Sequence, residues 1–178
     1  MAIPLYVTPD MVRAMPDDGN RYETVHGELL VTPSPRYTHQ RIIGRILPVL
    51  YAWCGEHGKF EVLTSPADVS LTPDSLVQPD VFVIPTPGDR NAHWRDLAHP
   101  VLVIEILSPG TARADRFTKR VHYQRSGIPT YWIVDGAAQL IEVWRPGDTA
   151  PAVERDELVW QPDAGRVELR LRVADLFR

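Results

Sequence analysis

The stretch "VLVIEILSPG" at residues 101–110 constrains the fold more than any other part of the sequence. Its β-forming residues run without polar alternation, which is typical of a strand that is buried on both faces. A helical pattern follows over 111–126, and "TYWIVD" at 130–135 predicts another strand. This order is that of a β–α–β crossover, which joins two parallel strands. We therefore expect an α/β fold around a buried sheet.

The remaining patterns predict a mixed sheet with a helix on each face. Helices are expected over 8–16 and 34–58, a hairpin with its turn at His26-Gly27 over 21–33, and strands over 59–71, 78–84 and 139–146. The tail from 151 to 178 predicts an edge strand or a small hairpin. Because no linker composition interrupts the 178 residues, we expect a single domain that spans 1–178.

Composition and charge exclude several classes of protein. No run of 18 apolar residues predicts a membrane span, and "MAIPLYVTPD" does not have the pattern of a secretory signal. The single cysteine, Cys54, cannot form an internal disulfide, so we expect a cytoplasmic protein. The net charge of -4 gives no overall attraction to nucleic acid, which means that any nucleic-acid site must be local.

Two acidic residues stand in segments that otherwise favour burial. Glu105 ends the apolar run at 101–107, and Asp80 opens the second one in "QPDVFVI". A buried carboxylate is unfavourable unless it is paired or binds a metal. If the two strands are neighbours, Asp80 and Glu105 converge on a hard-oxygen site that suits Mg²⁺ or Mn²⁺. No cluster of cysteine and histidine predicts a zinc site.

The predicted crossover helix is basic within an acidic chain. Residues 113–125 carry five basic residues and one acidic residue, a local charge of +4. Arg113, Arg116 and Arg120 are candidate phosphate-binding residues. Lys119 is one of only two lysines, beside 17 arginines. An ammonium group and arginines beside a divalent metal suit metal-assisted hydrolysis of a phosphodiester.

These segments resemble the PD-(D/E)XK nuclease superfamily, and more closely its Uma-type branch of restriction-endonuclease-like proteins. The resemblance rests on "QPDVFVI", "VLVIEILSPGTARADRFTKRVHYQRSGIPTYWIVD" and the upstream "RYETVHGELLVTPSPRYTHQRIIGRI", and it covers roughly residues 20 to 146. It implies a restriction-endonuclease-like core of mixed sheet flanked by helices. It also implies an endonuclease that uses Mg²⁺ or Mn²⁺ and acts on DNA.

The resemblance also implies roles for individual residues. Asp80 falls on the family's metal-binding acid, Glu105 on the second acid, and the backbone carbonyl of Ile106 on a third ligand. The superfamily lysine stands two residues after the second acid, where this sequence has Leu107. In the Uma-type branch the lysine comes from the following helix, which makes Lys119 the candidate.

Three further residues are accessory candidates. The resemblance marks Glu28 and His39, and Tyr123 is expected to place its hydroxyl at the rim of the site. Other interpretations stay open: His39 as a helix cap, Glu28 as the partner of an arginine, and Lys119 as a solvated residue paired with Asp115. Two more alternatives stay open: Asp80 could cap a backbone N–H at the end of its strand, and Glu105 could form a buried ion pair with an arginine of the helix.

Two classes of function follow from these expectations. The first is a DNA endonuclease, with RNA or a nucleotide as an alternative substrate. A homodimer is expected for it, because two sites cut two strands and twofold dimers are the commonest oligomers. The second is a catalytically silent nuclease-fold module that binds or regulates. Trp94, Trp132 and Trp144 are expected in the core or an interface rather than as base-stacking platforms.

Overall fold

The computed structural model describes residues 6–89, 91–92, 97–162 and 167–178. In chain order its elements are α1 (Pro9–Arg13), β1 (Arg21–Val25), β2 (Glu28–Thr32), α2 (Tyr37–His57), β3 (Phe60–Thr64), β4 (Ser75–Leu76), β5 (Val81–Pro85), β6 (Leu102–Ile106), a π-helical turn (Ala114–Lys119) that continues into α3 (Arg120–Arg125), β7 (Tyr131–Asp135), β8 (Leu140–Trp144), β9 (Ala152–Glu154), β10 (Glu157–Trp160), β11 (Leu169–Arg172) and a 3₁₀ helix (Val173–Leu176). Among the described residues, no helix is long and apolar enough to cross a membrane.

The central sheet has six strands in the order β3-β5-β6-β7-β8-β9. β6 and β7 run parallel, with Glu105 opposite Ile133, and the other neighbouring pairs are antiparallel. The π-helical turn and α3 connect the parallel pair. The predicted β–α–β unit and the mixed α/β sheet are therefore confirmed.

The sheet buries both of its faces. Val81 and Val83 of β5 pack in one apolar cluster with Ile46 of α2, whereas Phe82 packs in a second cluster with Tyr123 of α3. Successive side chains of a strand point to opposite faces, so a strand that is covered on both sides needs a continuous apolar run. The apolar runs at β5 and β6 thus correspond to the observed burial.

A second sheet, in the order β2-β1-β4, lies outside the central one. β1 and β2 form the predicted hairpin, and its turn residues His26 and Gly27 have φ values of 49° and 84°. β4 pairs with β1 through Thr24–Leu76 and Val25–Ser75. The sequence analysis did not predict β4, because two residues carry no periodic signal. Its pairing brings the segment before β5 against β1.

The structure corrects several predicted boundaries. The β-like run over 59–71 ends at Thr64, and the tail contributes both an edge strand, β9, and a separate β10–β11 pair. The Thr111 hydroxyl accepts from the N–H of Ser108 and does not cap the following helix. Trp132 and Trp144 are buried as expected, whereas Trp94 lies outside the described residues.

His122 is a buried histidine where α3 meets the β1–β2 turn. It is 1% exposed, and neither of its ring nitrogens has a hydrogen-bond partner in the described part of the chain. Its ring lies edge-on to His26, with centroids 5.2 Å apart, and His26 Nδ1 lies 2.9 Å from Asp74 Oδ2. Burial, with a smaller effect of His26, lowers the pKa of His122 to about 4, while Asp74 acts in the opposite direction.

We expect His122 to make the fold sensitive to acid. An unfolded chain protonates a histidine near pH 6.5, whereas the folded chain protonates His122 only near its lowered pKa of about 4. Its contribution to stability is therefore present above about pH 6.5 and is lost as the pH falls through about 4. The free energy of unfolding of the wild type, relative to His122→Phe, should fall by about 3 kcal/mol between about pH 7 and about pH 4 in urea titrations. Because burial is the main cause, His26→Gln should retain most of this dependence, and a pH-independent difference for His122→Phe would contradict the prediction.

Candidate active site

Asp80 and Glu105 meet where β5 begins and β6 ends. The antiparallel register pairs Val81 with Ile104, so the same register continued by one residue sets Asp80 opposite Glu105. The backbone N–H of Ile106 donates to Asp80 Oδ2 over 2.9 Å, which holds the Asp80 carboxylate against the end of β6. Both acids are buried. The two strands are neighbours, which meets the condition that the sequence analysis set for the convergence of Asp80 and Glu105.

Three donors surround the carboxylate of Asp80. Arg21 Nη1 donates to Oδ1 over 2.9 Å, and His39 Nε2 lies 3.0 Å from Oδ2, which also accepts from Ile106. Burial alone would raise the pKa of Asp80, but the hydrogen bond with His39 and the charge of Arg21 hold that pKa well below its ordinary value. Asp80 is therefore ionised throughout the physiological range.

Glu105 is bound by two groups of the helical crossover. Lys119 Nζ donates to Glu105 Oε1 over 3.0 Å, and the hydroxyl of Tyr123 donates to the same oxygen over 3.1 Å. Burial raises the pKa of Glu105 well above its ordinary value, and although Lys119 opposes this shift, nearby carboxylates such as Asp80 add to it. A further positive charge near Glu105 would therefore stabilise its ionised form.

Lys119 reaches the site from the helix, as the family resemblance implied. Its side chain is buried, and Nζ lies 2.8 Å from Glu23 Oε1 and 3.7 Å from Asp115 Oδ1. Desolvation lowers the pKa of Lys119, but Glu105, Glu23 and Asp115 raise it well above its ordinary value. The interpretation of Lys119 as a solvated helix residue is wrong, because it is only 1% exposed.

Asp115 and Lys119 are both buried on the inner side of a π-helical turn. A π turn inserts an extra residue into the hydrogen-bond ladder and changes which side chains share a face. Here the turn ends at Lys119, and Asp115 and Lys119 point inward while Phe117 is exposed. Burial raises the pKa of Asp115 to about 6, partly offset by Lys119.

Glu23 is a site residue that the sequence analysis missed. It is fully buried in β1, and its Oε1 accepts from the N–H of Gln78 over 2.7 Å and forms an ion pair with Lys119 Nζ at 2.8 Å. Its Oε2 has no hydrogen-bond partner among the described residues and lies 3.8 Å from Arg21 Nε. The sequence did contain a hint that Glu23 belongs to the site. It is an acid inside a predicted strand, between Tyr22 and Thr24, and it lies in a segment that carries the family resemblance.

The accessory candidates have different surroundings. His39 contacts Asp80 and does not cap α2, which has no side-chain hydrogen bond at its N-cap. Tyr123 contacts Glu105 but is fully buried rather than at a rim. Glu28 is exposed at the start of β2, where its nearest polar partner is the hydroxyl of Thr118 at 3.4 Å. Of these three, His39 and Tyr123 contact the two predicted metal-binding acids.

The predicted phosphate-binding arginines lie on the outer side of the helix. Arg116 pairs with Asp135 and Glu142, at 2.8 Å and 2.7 Å, and Arg120 stacks over the ring of Trp144 at 4.6 Å. Arg113 is exposed. Arg116 and Arg120 thus have structural partners on β7 and β8, and the phosphate-binding role of all three arginines stays a prediction.

A cavity of about 870 Å³ opens beside Asp80. Arg21, His39 and Asp80 line it together with Gly110 and Thr111 from the loop after β6. Within the described parts of the chain, Glu105, Lys119 and Glu23 lie behind this wall and not on it. A ligand in the cavity would therefore contact Asp80 directly, whereas Lys119 and the acids around it lie deeper.

The donors of the cluster fit a hard divalent cation. Glu23, Asp80, Glu105 and Asp115 bring four carboxylates against the two cations Arg21 and Lys119, and Asp115 Oδ1 and Glu23 Oε2 are buried without hydrogen-bond partners in the described chain. No group of three or more histidine, cysteine or acidic side chains in the described residues has metal-binding geometry. Mg²⁺ nevertheless needs only one or two carboxylates, because water and substrate phosphates complete its shell.

Removal of the ammonium group should destabilise the fold strongly. Lys119→Met leaves Glu23, Glu105 and Asp115 buried without their shared cation, and breaking such a pair costs about 3–5 kcal/mol. We expect the free energy of unfolding, measured in urea at neutral pH, to fall by this amount in Lys119→Met. The double variant Lys119→Met/Glu105→Gln should recover part of the lost free energy, because one buried charge is then removed. A loss below about 1 kcal/mol, as for an exposed pair, would contradict the buried-cation interpretation.

A solved structure is similar to the chain along almost its whole length. It is a crystal structure described as that of a putative nuclease belonging to DUF820 from Anabaena variabilis. The TM-score is 0.76 at 21% sequence identity, over 96% of this chain and 97% of that chain. This similarity confirms the predicted fold. A comparison with curated proteins gives no match.

The family assignment rests on the sequence as a whole. The model of the Uma2 family, described as "Putative restriction endonuclease", matches residues 9–174. This range contains every residue of the candidate site, from Arg21 to Tyr123. The chain therefore belongs to the Uma2 family, as its Uma-type motifs predicted.

Proposed function

We propose that this chain is a metal-dependent endonuclease that hydrolyses phosphodiester bonds of DNA. The observation that carries the proposal is the buried contact of 3.0 Å between Lys119 Nζ and Glu105 Oε1, beside the ionised Asp80. A fold without a use for these charges would be more easily built with apolar residues in their place. Membership of a family described as putative restriction endonucleases supports the same activity.

Asp80 and Glu105 are the residues that would hold Mg²⁺ or Mn²⁺, with the backbone carbonyl of Ile106 as the third ligand expected from the resemblance. A bound ion would lower the pKa of its water and stabilise the charge that develops on the scissile phosphate. The raised pKa of Glu105 supports this assignment, because burial, with a smaller effect of the neighbouring acids, destabilises its carboxylate in the absence of added positive charge.

The protein groups around these acids have separate tasks in the proposal. Lys119 stays protonated among its carboxylates, so it acts as a fixed positive charge for the scissile phosphate or its attacking water, and not as a base. Tyr123 orients Glu105 through its hydroxyl. Arg21 and His39 keep Asp80 ionised and form part of the cavity wall through which a phosphate would approach.

A catalytically silent binding module is the second candidate, and one observation favours it. Both oxygens of Asp80 are already occupied, by Arg21 on one side and by His39 and the N–H of Ile106 on the other. A metal would have to displace at least one of these donors. The net charge of -4 also gives the chain no general attraction to DNA.

The proposal includes DNA as the partner, a cytoplasmic location and a homodimer. RNA is the alternative substrate, and the two are separated by cleavage assays on matched DNA and RNA strands. The homodimer rests only on the need to cut two strands, and sedimentation of the purified chain tests it.

Plasmid cleavage with Mg²⁺ or Mn²⁺ tests the activity. Asp80→Asn and Glu105→Gln preserve side-chain shape and remove one charge each, so we expect the wild type to cut and each variant to lose roughly 100-fold or more in rate. Glu56→Gln, at an exposed position near the end of α2, should cut like the wild type. Circular dichroism checks that all four proteins are folded.

Three outcomes would change the assignment. Folded wild type that binds DNA in a salt-dependent manner but does not cut it would favour the silent module. Equal cleavage by all four proteins would indicate a contaminating nuclease or a different site. Cleavage that persists in excess chelator would exclude the metal-dependent reaction.

A further inference from the structure

Glu23 has the shortest contact with the buried ammonium group. Lys119 Nζ lies 2.8 Å from Glu23 Oε1, against 3.0 Å from Glu105 Oε1 and 3.7 Å from Asp115 Oδ1. An ammonium group has three donors. Lys119 donates to Glu105 on β6 and forms an ion pair with Glu23 on β1, so it joins acids on two different strands.

The carboxylate of Glu23 is itself fixed in place. Its Oε1 also accepts from the backbone N–H of Gln78, two residues before Asp80. β1 is tied to this region a second time by Arg21, which donates to the Gln78 carbonyl and to Asp80. Glu23 thus connects Lys119 to the segment that carries Asp80, independently of Glu105.

This connection matters because Glu105 cannot neutralise the ammonium group of Lys119 fully while it also binds a metal ion. In the proposed function Glu105 binds a divalent ion, and part of its negative charge is then no longer available to Lys119. A buried lysine without a nearby carboxylate tends to lose its proton or move toward water. Glu23 is 0% exposed, lies 2.8 Å from Lys119 Nζ and is not one of the proposed metal ligands, so it is the acid that remains for the ammonium group.

We propose that Glu23 is the positioning residue of Lys119: it holds the protonated ammonium group in the site while Glu105 binds the metal. The proposal rests on the proposed function for its consequence, but the contact itself is tested without catalysis. Asp115 is not the anchor, because its Oδ1 is farther from Nζ and it moves with the same helix as Lys119.

The scarcity of lysine makes a direct test possible. Protein labelled with ¹³C-lysine gives signals from only two side chains, Lys119 and the exposed Lys59, which serves as an internal reference. In the wild type we expect NOEs from the Lys119 Cε protons to Glu23 to persist at saturating Mg²⁺, while those to Glu105 weaken. Loss of the Glu23 NOEs on addition of Mg²⁺ would overturn the proposal without any variant.

Two variants extend the test. Glu23→Asp withdraws the carboxylate by one methylene, and Glu23→Gln removes its charge. Either change should shift the Lys119 signal toward that of Lys59 and, where the wild type cuts DNA, lower kcat by about 100-fold with little change in KM, as expected for a misplaced catalytic group. Thr24→Val is the matched control: it removes a buried hydrogen bond to the Val7 carbonyl on the same strand and does not touch Lys119.

The outcomes separate this proposal from the proposed function. If the NMR signal of Lys119 shifts in the Glu23 variants but not in Thr24→Val, the result supports Glu23 as the positioning residue of Lys119. This holds whether or not the wild type cuts DNA. An unmoved Lys119 signal in both Glu23 variants overturns it even if the wild type is an active nuclease. The same shift in Thr24→Val would also overturn it, since general loosening of β1 would then be the cause.

Discussion

A single buried ammonium group is the interaction on which the candidate site depends. Lys119 stands among Glu23, Glu105 and Asp115, and none of the four is more than 2% exposed. Desolvation of so many charges is costly, and their mutual attraction compensates for it only with good geometry. The positions of β1, β6 and the helical crossover are therefore coupled, because each contributes a charge that the others need.

Asp80 and Glu105 lie in different electrostatic environments. Asp80 is held ionised by Arg21 and His39 and faces the cavity, whereas Glu105 lies behind it with a raised pKa. Two carboxylates with pKa values pushed in opposite directions are typical of functional sites rather than of purely structural ion pairs. This asymmetry supports a site that accepts a cation between them.

Much of the fold followed from local patterns, whereas the contacts of the site did not. Apart from Glu105, the runs at β5 and β6 are apolar because both faces of the sheet are covered. The residue order around the crossover identified β6, the helix and β7. The adjacency of Asp80 and Glu105 then followed from strand pairing. β4 escaped prediction because two residues have no period. The π-helical turn escaped because it changes side-chain direction without changing composition.

The partners of individual side chains were less predictable for a physical reason. Glu23 looked like an ordinary acid of an outer hairpin, but it is buried and contacts Gln78 and Lys119, which lie far from it in the sequence. Arg116 and Arg120 looked like free positive charge, but β8 places Glu142 and Trp144 beside them. Such contacts depend on packing between distant elements, so a single sequence does not contain a local signal for them.

The order in which the site can assemble follows from the spread of its residues along the chain. Arg21 and Asp80 are 59 residues apart, and Glu23 and Gln78 are 55 apart. Contacts between such distant residues form late, because a long loop must close before they contribute free energy. During synthesis Glu23, Glu105 and Asp115 are added to the chain before Lys119, the cation that pairs with them. The assembled site is therefore a property of the finished fold, and a nascent chain carries its acids before it carries their cation.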